Sequence, residues 1–160
     1  MTNNDILRRL RFAFDFSDIR ATELFSLDPN STVRINKTDF KTRICKEEDD
    51  KFIECSDTEL SAFLDGLIVS KRGLREPSSQ AVKPTPTELR LSKNDILKKL
   101  RIAMNFKEQD MLMTLKAGGT EMSKSELGAL FRKPNHKHYR ACGNQVLRNF
   151  IKGLTEKMRT

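Results

Sequence analysis

The chain has 160 residues, a net charge of +8, 37% hydrophobic residues, ten Phe, one Tyr and no Trp. That length fits one domain or two small ones, and no apolar run approaches the ~20 residues of a membrane helix. Three cysteines give no even disulfide framework, and Met1-Thr2-Asn3-Asn4-Asp5 does not begin an apolar secretory signal, so the expected setting is the cytoplasm, without membrane contact.

In chain order, the first helix is predicted from Asp5, with Thr2-x-x-Asp5 as its cap and Ile6, Leu7, Leu10, Ala13 and Phe14 at helical spacing. A second is expected over Asp18 to Leu27, and a third opening at Asn36-x-x-Asp39 and carrying Phe40 and Ile44. A fourth starts at Ser56-Asp57-Thr58-Glu59, a capping box, with Leu60, Phe63, Leu64, Leu67 and Ile68 along one stripe. Lys71 to Ser92 holds three of the five prolines and reads as a linker, because proline cannot continue a helix.

The same elements then return. Asn94-Asp95-Ile96-Leu97 through Phe106 repeats Asn4 through Phe16 at an offset of 90, with eight of thirteen pairs identical. Cys142, Leu147, Phe150, Gly153 and Leu154 repeat Cys55, Leu60, Phe63, Gly66 and Leu67 at an offset of 87. Ser92-x-x-Asp95 caps a helix from Asp95, the second helix recurs over Gln109 to Lys116, Gly118-Gly119 forms a turn, and Ser123-x-x-Glu126 opens the third. The chain is therefore a tandem duplication: repeat 1 over 1–70, linker over 71–92, repeat 2 over 93–160. No period-two alternation is present, so the expected class is all-α, two pseudo-equivalent four-helix repeats packed together. A free unit of this size buries only about 60% of its unfolded surface. Phe12 and Ile102, apolar in both copies and opposite the Leu10 stripe, predict a seam along the two first helices; a homodimer through the same faces is the other reading.

Lys46-Glu47-Glu48-Asp49-Asp50-Lys51-Phe52-Ile53-Glu54-Cys55-Ser56-Asp57, followed by Phe63-Leu64 and Gly66-Leu67-Ile68, resembles the YehS family together with the doubled Asn-Asp-Ile-Leu opening. That family is a bacterial domain of unknown function and itself a tandem duplication, which implies a bacterial, cytosolic, all-helical protein and transfers no catalytic residues. Copy two departs from the pattern, with Pro134-Asn135-His136-Lys137 in place of the acidic run and Cys142-Gly143-Asn144 in place of Cys-Ser-Asp.

The charge was not duplicated. Residues 3–73 carry twelve Lys/Arg against fourteen Asp/Glu, and residues 93–160 carry fifteen against six. A concentrated positive half is the footprint of a polyanion partner. On the last helix Gln145, Arg148, Asn149, Lys152 and Arg159 share the polar sector, and their side chains suit phosphates and base edges. Lys124, Arg132, Lys133, Lys137 and Arg140 lie just before it. Met122 to Leu127 leading into a basic helix gives a helix-turn-helix-like order, although some ten residues separate the helices where three or four are usual. Polar helix faces also serve solubility alone, and an acidic protein is an alternative partner.

Cys55 and Cys142, each just before a helix start, are read as packing residues, since no base accompanies them and repeat 1 has no His. His136, His138 and Cys142 are zinc-type ligands without a fourth, and Glu47 to Asp50 have no glycine to shape a cation cage. No cofactor or metal is expected. The sequence supports a non-enzymatic binding or regulatory protein whose second repeat contacts nucleic acid, or a protein-interaction adaptor using oppositely charged repeats.

Overall fold

The computed structural model describes residues 1–73 and 90–159, so Pro77, Pro84 and Pro86 of the linker lie outside the described residues. Eight helices and no strand are present among them: α1 Asn3–Ala13, α2 Asp18–Leu27, α3 Lys37–Ile44, α4 Asp57–Arg72, α5 Lys93–Met104, α6 Glu108–Ala117, α7 Lys124–Leu130 and α8 Asn144–Arg159. The starts follow from local hydrogen bonding. Thr2, Asn36, Ser56, Ser92 and Ser123 each accept the amide hydrogen of the residue three positions on, whose carboxylate accepts theirs in return. Each such box satisfies two orphan amides. In α1 and α5 this makes Asp5 and Asp95 the third helical residue, so both helices begin two residues earlier than expected.

Within each repeat the second and fourth helices cross at a glycine. A Cβ on Gly66 would stand 1.8 Å from the Leu24 carbonyl oxygen, and one on Gly153 would stand 1.9 Å from that of Thr114. Leu24 and Thr114 are equivalent positions, as are the glycines, so both copies bring the two helix backbones into contact. Gly118 adds a second close approach in repeat 2 alone, 1.7 Å from Cβ position to the Asn149 carbonyl oxygen; its counterpart in repeat 1 is Asp28.

The seam between repeats differs from the expected one. α1 packs on α8 and α4 packs on α5, so each first helix lies against the other repeat's last helix. Phe12 is 56% exposed at the edge of this seam, with the Arg159 guanidinium 4.2 Å from its ring centre. Ile102 is half-buried beside Ile68 and Arg72. The apolar pair thus marks two ends of a crossed arrangement and not a shared face. Leu7, Leu10, Leu97, Leu100, Phe63 and Phe150 belong to one core running through both repeats. Each repeat finds its missing burial in the other.

Candidate nucleic-acid interface

The loop between the third and fourth helices is built the same way twice. In repeat 1 the amides of Asp49, Phe52 and Ile53 bond the carbonyls of Lys46, Asp49 and Thr42, each at 3.0 Å. In repeat 2 the amides of His136, Tyr139 and Arg140 bond those of Lys133, His136 and Ala129 at 2.9, 3.0 and 3.1 Å. Every one of these positions corresponds. Even a local side-chain bond persists, since Asp49 Oδ1 accepts the Lys51 amide at 2.9 Å and His136 Nδ1 accepts the His138 amide at 3.0 Å.

Each loop is fastened from beneath by a buried asparagine. Asn4 Nδ2 donates to the Arg43 and Ile53 carbonyls at 2.9 Å, and its Oδ1 accepts the Cys55 amide at 2.9 Å. Asn94 donates to the Leu130 and Arg140 carbonyls at 2.8 and 2.9 Å and accepts the Cys142 amide at 2.8 Å. One amide side chain closes three backbone groups, as a buried polar group must. These two residues were not among the sequence candidates; their identity in both copies was the available signal. Below the loops the two cysteines are buried, and burial chiefly pushes Cys55 up to about 12 and Cys142 up to about 11. Such thiols stay protonated at neutral pH and are poor nucleophiles. His136 and His138 are exposed whereas Cys142 is buried, and no three potential metal ligands converge among the described residues.

On this common frame the charges are opposed. Positions 45–53 carry Glu47, Glu48, Asp49 and Asp50 with two lysines, and positions 132–140 carry Arg132, Lys133, Lys137 and Arg140 with no acid. Lys133 and Lys137 are exposed and make no ion pair among the described residues. Arg132 reaches the exposed His136 ring at 3.4 Å. Arg140 lies 3.3 Å from Glu126, whose carboxyl is held below the usual range by the Ser123 amide and hydroxyl, then by Arg140. Lys124 sits 4.0 Å from Glu108.

The predicted residues of α8 do not form one free row. Gln145 donates to Asn149 at 2.8 Å and accepts from Arg148 at 3.1 Å, while Asn149 donates to Thr120 at 2.7 Å. Arg148 and Asn149 are consequently half-buried. Arg159 closes the end of α1, donating to the Phe12 carbonyl at 2.9 Å and lying 3.4 Å from Asp15. Lys152 alone in this group is exposed without an ion pair or hydrogen bond among the described residues. Of the residues that the sequence singled out, the loop lysines and Lys152 therefore hold the unpaired positive charge.

A family model described as a protein of unknown function, DUF1456, matches residues 3–73 and again 93–160. The uncharacterized protein YehS of Escherichia coli (strain K12) is 36% identical over 157 residues, which covers 98% of this chain and 96% of that protein. No solved structure matches.

Proposed function

The chain belongs to the DUF1456 family of unknown function, and from its own residues we propose that it is a non-enzymatic binding protein whose second repeat holds the phosphodiester backbone of a nucleic acid. The carrying observation is the loop built twice with opposite charge. Its backbone bonds and its asparagine clamp are the same at 45–53 and 132–140, so folding does not demand either sign. Arg132, Lys137 and Arg140 stand where repeat 1 has Cys45, Asp50 and Ile53, so folding does not require that positive charge. Lys137, with Lys133 that both copies share as Lys46, is unpaired among the described residues and free to meet phosphate. Ammonium groups on long stems act as point charges there. They position a polymer without reading its bases, so binding should fall steeply with salt as counterions are released.

Fluorescence anisotropy on mixed-sequence RNA and DNA, titrated with salt, tests this reading. Lys133→Glu combined with Lys137→Glu should flatten the plot of log affinity against log salt by about 2. Both side chains are exposed, so stability should stay within about 0.5 kcal/mol. A wild-type protein that binds neither polymer at low salt overturns the reading, as does a double variant that binds equally well. Recovery of one stoichiometric protein that survives nuclease would favour the adaptor instead.

A further inference from the structure

The two inter-repeat seams are in the same register. Arg72 donates to Asn105 Oδ1 at 2.6 Å and to the Ile102 carbonyl at 3.4 Å, at the end of α5. Arg159 does the same at the end of α1, with the Phe12 carbonyl and Asp15. Arg72 and Arg159 are equivalent, and so are Ile102 and Phe12, and Asn105 and Asp15. α8 therefore lies on α1 as α4 lies on α5. Midway along the α4–α5 seam Lys99 Nζ pairs with the Asp65 carboxylate. The corresponding residues of the α1–α8 seam are Arg9 and Lys152. By this register two cations occupy the positions that hold an ion pair in the sister seam.

Neither side chain finds relief within the molecule. Arg9 and Lys152 are exposed and make no hydrogen bond or ion pair among the described residues. On α1 the nearest acid, Asp5, is already engaged by the Thr2 amide and by Arg8. On α8, Glu156 lies one turn beyond Lys152 and is exposed, without an ion pair among the described residues. Arg148 lies one turn before it and adds a third positive charge. Facing like charges disfavour the packed seam, and a bound anion reverses that sign.

We propose that the α1–α8 seam is a second phosphate site, in which Arg9 of repeat 1 and Lys152 of repeat 2 together hold one phosphodiester group. This rests on the nucleic-acid reading of the loop and extends it: the footprint crosses onto the repeat that is acidic as a whole.

The test is a charge-reversal cycle with Arg9→Glu, Lys152→Glu and both together, read by melting temperature and by the salt dependence of anisotropy on mixed-sequence DNA and RNA. Lys116→Glu on α6 supplies the same charge change away from the seam. Either single reversal creates an opposite-charge pair, and the double restores a like-charge pair. The double should therefore melt below the sum of the singles by on the order of 2–5 °C. Each single should lower the salt slope by about 1 or more, with less loss for Lys116→Glu. Additive melting shifts would show that the two residues do not face each other and would overturn the inference. A wild type that binds, with seam variants losing no more than Lys116→Glu, overturns the seam site and leaves the loop standing. A wild type that binds neither polymer overturns both.

Discussion

Residues 45–53 and 132–140 form the same loop on the same asparagine clamp, and one is rich in carboxylates while the other has none. The comparison separates two kinds of constraint within one chain. Asn4 and Asn94, Cys55 and Cys142, Gly66 and Gly153, Arg72 and Arg159 are retained because each meets backbone or core in both copies. Glu47 to Asp50 and Pro134 to Lys137 meet mainly solvent, so no packing term holds them to one sign. The duplication acts as an internal control: residues answering to the fold stayed, and those answering to water or to a partner diverged.

The most disruptive way to test the shared part is at the helix crossings. Gly66→Ala and Gly153→Ala should each lose more than about 3 kcal/mol in denaturant unfolding, because a Cβ within 2 Å of a backbone oxygen forces the helices apart. Alanine's better helix propensity returns only about 1 kcal/mol and cannot offset this. Gly128, with nothing within 4 Å of its Cβ position and Lys41 as its counterpart, gives the opposite sign. Gly128→Ala should stabilise by up to about 1 kcal/mol. Similar gains at all three glycines would mean that propensity and not close approach governs the pair.

The clamps come next. Asn4→Ala and Asn94→Ala each strand two carbonyls and one amide, at about 1–3 kcal/mol for a group that stays buried. Part of each clamp is reachable by water, so a total of about 2–4 kcal/mol is expected. Since the three bond lengths match between copies to within 0.1 Å, the two losses should agree within about 0.5 kcal/mol. A large inequality would break the equivalence on which the charge comparison stands.

Capping boxes and apolar stripes made the helices legible, since both act within four residues of chain. Asn36-x-x-Asp39 and Ser123-x-x-Glu126 located α3 and α7 directly. The seam was not legible, because Phe12 and Ile102 report only that something apolar recurs on that face. Which helix lies opposite depends on long-range packing, here reciprocal between repeats. For the same reason the α8 polar sector overstated the free surface. A helical wheel places Asn149 and Arg159 on it, but Thr120, Phe12 and Asp15 that engage them come from distant chain. Arg9 was not legible as a candidate, because its position opposite Lys152 follows only from the shared register of the two seams.

A further effect concerns the cysteines and requires alkaline pH. Cys55 and Cys142 sit above the ordinary thiol value of 9.0, at about 12 and about 11, chiefly because burial penalises the thiolate. The unfolded chain releases these protons near pH 9 while the folded chain keeps them. Their contribution to stability is therefore intact below about pH 9 and is lost as pH rises through the folded values. Near pH 10 the two thiols together should lower stability by about 2–3 kcal/mol relative to neutral pH. Replacing both with Ala lowers stability at every pH by leaving cavities, yet it should flatten the fall between about pH 8 and 10. If the slope survives loss of both buried thiols, their duplication reflects shape alone. If Cys142→Ala flattens it far more than Cys55→Ala, the two cores differ in a way that their matched clamps do not show.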